Sequence, residues 1–106
     1  MNSGYYLARM RHELFLASEA VNDLKSLSAR NRSIIRDAIE RHLRFEPTKI
    51  SKSRIKRLQG IAQPQYRLRV GEFRIFYDVS EMSVEILAII PKTKTMTWLE
   101  KVGRIK

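Results

Sequence analysis

The sequence predicts an α+β fold of order β-α-α-β-β-β, an antiparallel sheet packed on a helical hairpin and closed by a short C-terminal helix. Three observations carry this. Tyr66 to Val79, YRLRVGEFRIFYDV, consists of two strand-like runs around Gly71-Glu72, the pattern of a tight β-hairpin. Ahead of it, apolar residues recur at helical spacing in two consecutive segments between Ser18 and Phe45. Behind it, Val84 to Ile90 (VEILAII) is a short apolar run ended by Pro91. Hydrophobic residues make up 43% of the 106, with four Tyr, four Phe and one Trp, enough for a packed core in one domain spanning 1–106.

Residues 1–10 are expected to form a flexible N-terminal extension, with Met10 an alternative start. His12 to Ala17 predicts a first strand with Leu14 and Leu16 on one face. Ser18 is a suitable N-cap, followed by Glu19 where the helix dipole favours a carboxylate. Ala20, Val21, Leu24 and Leu27 then define a short amphipathic helix through about Leu27. Ser28 caps a longer helix to about Phe45, with Ile34, Ile35, Ala38, Ile39 and Leu43 as its buried stripe. Asp37–Arg41 and Glu40–Arg44 are acid-before-base pairs at i,i+4, each contributing a few tenths of a kcal/mol, about 0.2–0.5. Pro47 stops this helix, and Lys49 to Arg57 (KISKSRIKR) forms a basic connector.

A two-residue loop with Gly first suits a type II′ turn, which sets the hairpin register. Val70 faces Phe73, Leu68 faces Ile75 and Tyr66 faces Tyr77 on one apolar side. The other side sets Arg69 opposite Arg74 and Arg67 beside Phe76, with Asp78 a diagonal countercharge for Arg67. Like charges directly opposite in a sheet cost about 0.2–1 kcal/mol. A fold gains nothing from opposing two guanidiniums, whereas an anion site does. The third strand should pair Val79 with Val84, set Ile86 against Tyr77 and Ala88 against Ile75, and place Leu87 and Ile89 on the arginine side. The arginines would then ring a floor of Phe76, Leu87 and Ile89. That floor is either open to stack bases or covered by the C-terminal helix, in which Trp98 is expected to anchor packing.

The 21 Lys and Arg exceed the 11 Asp and Glu by ten, and such an excess points to a polyanionic partner. The chain has no cysteine, and no apolar run approaches the ~20 residues of a membrane span, so a cytoplasmic protein without a membrane role is expected. Phosphate-cradling glycine loops, nucleophile elbows and His/Cys metal spacings are all missing, so no cofactor and no metal are expected. The two histidines, His12 and His42, lie far along the chain from the hairpin and are expected to be structural or surface residues rather than a base.

The order of elements, together with Leu58-Gln59-Gly60 and the runs YRLRVGEFRIFYDV and VEILAIIPK, resembles the RelE/ParE toxins of bacterial type II toxin–antitoxin pairs over about His12 to Trp98. The RelE branch is favoured. That resemblance implies a toxin that inhibits translation by ribosome-dependent mRNA cleavage, with a cognate antitoxin, the ribosome and mRNA as partners and operator DNA reached only through the antitoxin complex. Arg67, Arg69 and Arg74 match the places where that branch holds and activates the scissile phosphate. Lys92 and Lys94 stand where it tends to have an arginine, and Trp98 or Leu99 where it has a tyrosine. Phe76, Lys52, Arg54, Lys56 and Arg57 complete the expected substrate contacts. The departure at the tyrosine keeps two alternatives open, a ParE-like inhibitor of DNA gyrase and a catalytically weak relic acting mainly through antitoxin binding.

Overall fold

The computed structural model describes residues 10–105; the expected N-terminal extension lies, but for Met10, outside them. The chain runs through β1 (Glu13–Leu16), α1 (Ser18–Lys25), α2 (Ala29–Leu43), β2 (Ile55–Arg57), β3 (Ile61–Gln63), β4 (Tyr66–Val70), β5 (Phe73–Val79) and β6 (Ser83–Pro91). A 3-10 turn over Lys92–Lys94, then α3 (Thr95–Val102) and β7 (Arg104–Ile105), complete it. Five strands form the main sheet in the order β1-β6-β5-β4-β2, and β3 pairs with β7 in a small second sheet.

The hairpin forms in the expected register, from Tyr66 opposite Tyr77 to Val70 opposite Phe73. Gly71 has φ +55° and no non-glycine residue among those described has positive φ, as a type II′ turn with Gly first requires. Leu68, Ile75 and Tyr77 project to the helix side, where they pack with Ala20 and Leu24 of α1 and Ile35, Ala38, Ile39 and Leu43 of α2. Tyr77 is fully buried and donates its hydroxyl to the Pro47 carbonyl at 2.7 Å, tying the sheet to the segment after α2.

Four expectations are corrected. The sheet is not wholly antiparallel, because β1 pairs in parallel with β6; the helices and strands between them supply the long crossover that parallel pairing requires. Ser18 is the first helical residue rather than the cap. Ala17 holds the cap position because its N–H donates to the Ile86 carbonyl at 2.8 Å, which keeps it in the sheet until the helix starts. Ile34 is exposed on α2 and leaves a narrower buried stripe. The basic connector, finally, is not all linker: its last three residues form the edge strand β2, antiparallel to β4, with buried Ile55 opposite Leu68. Ser28 caps α2 as expected, accepting from Asn31 N at 3.1 Å, and Arg44 pairs with Glu40.

The β5–β6 register holds from Val79–Val84 to Tyr77–Ile86 and then slips by one residue. Leu87 is the extra residue of a β-bulge, so Phe76 faces Ala88, Ile75 faces Ile89 and Arg74 faces Ile90. A one-residue slip exchanges the two faces of everything beyond it. Ile89 therefore joins the helix-side core, and Ala88 and Ile90 move to the arginine side. Asp23 of α1 secures the slipped segment by accepting the Ile89 N–H at 2.9 Å.

Candidate functional site

Alternation along β4 places Arg67 and Arg69 on the sheet face away from α1 and α2, and β5 adds Arg74 directly opposite Arg69. Edge strand β2 brings Lys56 opposite Arg67, extending the cationic row. Arg69 and Lys56 are exposed, Arg67 is partly buried, and Arg74 is 7% exposed. The Arg74 guanidinium folds back over the hairpin turn, its Nη1 donating to the Gly71 and Phe73 carbonyls at 2.9 Å each. Arg67 Nε is buried without a hydrogen-bond partner among the described residues. Burial, then the charge of Arg74, then that of Arg69, hold Arg67 below the usual arginine range. The three cations thus share one field, as the strand register requires.

Asp78 does not neutralise them. Its Oδ1 accepts from Gln65 N at 2.8 Å and its Oδ2 from Gln63 Nε2 at 2.6 Å, so its carboxylate is spent on the loop that enters β4. The expected Arg67–Asp78 countercharge is replaced by loop capping.

The expected floor is closed. Phe76, Ala88 and Ile90 form a second small core with Leu58, Trp98 and Leu99, and the Phe76 and Trp98 rings stack at 4.8 Å between centroids. Phe76, 1% exposed, cannot meet a substrate while α3 lies over it, which corrects its assignment as a substrate contact. Ile89 leaves the floor through the bulge, while Leu87 lines a cavity beside Trp98 and Val102 of α3. Trp98 is the packing anchor, with Nε1 donating to Glu19 Oε1 of α1 at 3.3 Å.

The remaining basic residues divide by face. Arg57 lies opposite Tyr66 on the helix side, its guanidinium 5.1 Å from that ring's centre, so alternation removes it from the arginine face. Arg54 aligns with the arginine row only through its backbone, its carbonyl accepting from Arg69 N at 2.8 Å. Its side chain turns toward α2 and donates from Nη1 to His42 Nε2 at 3.1 Å. Lys52 is exposed on the connecting segment. Lys92 sits beside the hairpin turn, where its N–H donates to the Glu72 carbonyl at 2.7 Å. Lys94 instead lines a separate cavity of about 610 Å³ with Asp23 and Trp98. The arginine face therefore gathers Arg67, Arg69, Arg74 and Lys56, with Lys92 at its end.

Lys56 earned no special weight in the sequence because β2 was not foreseen; the alternation of Ile55, Lys56 and Arg57 was the available signal. No group of three or more His, Cys, Asp or Glu suited to hold a metal occurs among the described residues, and no helix among them is long and apolar enough to cross a membrane.

No family model matches the chain, and no curated protein does. Solved structures do. The chain resembles the archaeal RelE–RelB complex from Pyrococcus horikoshii at 26% identity, over 78% of this chain and 97% of that one, with a TM-score of 0.59. It also resembles the RelB–RelE antitoxin–toxin complex from Methanococcus jannaschii at 24% identity, over 79% and 96%, with a TM-score of 0.60. A third likeness, at 21% identity over 77% and 92% with a TM-score of 0.61, is to the RelBE2 toxin–antitoxin complex from Mycobacterium tuberculosis.

Proposed function

We propose that this chain, which is RelE-like in fold, is the toxin of a type II toxin–antitoxin pair and inhibits translation by cutting mRNA on the ribosome. The observation that carries this reading is the buried, unpartnered Arg67 Nε flanked by Arg69 and Arg74. A buried donor without an acceptor costs about 1–3 kcal/mol, and mutual repulsion adds to that. A phosphate oxygen relieves both. The likeness to RelE chains solved with RelB supports a protein antitoxin as partner.

Cleavage through an RNA 2′-hydroxyl requires alignment, stabilisation of the charge gathering on phosphorus, and proton transfer. The guanidinium fork of Arg67 matches two phosphate oxygens, and exposed Arg69 reaches the same group from the solvent side. Arg74, fixed on two carbonyls, contributes charge from a set position. Arginine is a poor general base. His12 is bound to the Arg44 carbonyl and His42 to Arg54, both away from this face, so neither histidine serves it. The rate then comes mainly from positioning the strand, and the reaction is slow without the ribosome to present it.

Purified protein incubated with ribosomes and a reporter mRNA tests this: cleavage that needs the ribosome is expected, and intact mRNA with normal translation rejects it. The stacking of Trp98 on Phe76 favours one second reading, a weak toxin acting mainly through its antitoxin, and growth arrest on induction argues against that reading. A DNA-supercoiling assay separates both from gyrase inhibition.

A further inference from the structure

A second cationic site lies around the sheet edge from the arginine face. The C-terminal end of α2 and the segment leading into β2 enclose a cavity of about 270 Å³ lined by Arg41, His42, Glu46, Lys49, Ser51 and Arg54. Ser51 Oγ accepts from the backbone N–H groups of Arg54 and Ile55 at 3.0 and 3.1 Å, which fixes the loop and leaves its own hydroxyl hydrogen to donate. Arg54 donates to His42 Nε2, so this nitrogen carries a lone pair and His42 is neutral. Glu46, the one carboxylate among the described residues that line the cavity, pairs with Lys49 at 3.6 Å.

We propose that this cavity binds one phosphate of a polynucleotide backbone, held by Arg54, Arg41 and the Ser51 hydroxyl, with His42 joining as a donor once it takes up a proton. The inference rests on the RNA reading above and gives that RNA a second contact. Continuity favours a polynucleotide over an isolated anion: the Arg54 carbonyl is bonded to Arg69 N, so the short stretch from Arg54 into β2 bears Lys56 toward the arginine face and Arg54 toward the cavity. A strand leaving Arg69 can pass over this edge and set a neighbouring phosphate in the cavity.

Proton linkage follows from the charges. Burial, then Arg54, then Arg41, hold His42 below the usual histidine range. These two arginines and His42 belong to α2 and the β2 segment, and Lys49 and Glu46 are the other charged groups lining the space. An anion bridging Arg54 and Arg41 cancels the repulsion that adds to burial in holding His42 low, and releases Arg54 from its ring. Binding should therefore raise the His42 pKa and tighten as pH falls.

The test is an NMR pH titration of the His42 ring in the full chain, alone and with a short single-stranded RNA made uncleavable by 2′-O-methylation, with oligo-glutamate as a parallel probe. The expected result is an upward shift of the His42 midpoint with RNA and a smaller one with oligo-glutamate. In Arg54→Gln the salt dependence of RNA binding, log K against log salt, should lose about 0.7 of its slope, one single-strand phosphate contact. RNA that binds without moving the His42 midpoint overturns the inference, and an equal or larger response to oligo-glutamate overturns it in favour of an acidic protein segment. Ribosome-dependent cleavage with an unresponsive His42 would leave the ribonuclease reading standing, and a responsive His42 without cleavage would do the reverse.

Discussion

Arg69 and Arg74 stand directly opposite across β4 and β5, and Arg69 is the exposed member of the pair. Arg69→Thr removes the repulsion without emptying any packed space and places a good strand former on an exposed position. Opposed like charges cost about 0.2–1 kcal/mol, so the variant should gain that much. For a domain of ~100 residues this corresponds to a rise in Tm of about 1–6 °C. The gain should shrink toward zero at ~1 M salt, where the Debye length falls to about 3 Å. Thermal unfolding of wild type and variant at low and high salt measures it. Arg67 gains indirectly, since one of the two charges depressing its protonation has gone. The same variant should lose most of its RNA-directed activity. A variant no more stable than wild type at low salt, or a difference indifferent to salt, would refute the claim that these guanidiniums oppose one another.

Gly71→Ala should cost about 1–2 kcal/mol by chemical denaturation: φ is +55°, and an added Cβ meets nothing, so the cost is conformational and Gly71→Asn should cost less. Tyr77→Phe should cost about 1–3 kcal/mol by the same measurement, because it strands the Pro47 carbonyl in a buried site. His42 adds a pH dependence of known sign. Its folded-state pKa lies below the ordinary 6.5, so the unfolded chain takes up the proton first as pH falls. Stability from this group is complete above about pH 6.5 and declines as the pH drops from there toward the folded value; Tm measured across that window should decline less in His42→Gln.

The hairpin was legible because a two-residue loop with glycine first allows one register, and that register alone opposes Arg69 to Arg74. The rest of the arginine face was harder to read, for particular reasons. In VEILAII every position but Glu85 is apolar, so either register past Leu87 buries something suitable, and the bulge left no trace. With the bulge unseen, Ile89 was assigned to the wrong side, and with the floor read as either open or covered, Phe76 was counted among the substrate contacts. Edge strand β2 buries only Ile55, and its flanking charges resemble a solvated linker. Its face assignments followed the same uncertainty: Lys56 meets Arg67, Arg57 covers Tyr66, and Arg54 leaves through its side chain for His42. Strands of two or three residues such as β3 and β7 carry too few side chains to show a period.

The arginine face as an RNA-cutting surface is tested most directly by inducing wild type and Arg69→Thr in cells and mapping a reporter mRNA by primer extension. New cleavages within translated codons, accompanied by growth arrest and both lost in the folded Arg69→Thr variant, are the expected result. Arrest with the mRNA intact, or cleavage undiminished in Arg69→Thr, would contradict it.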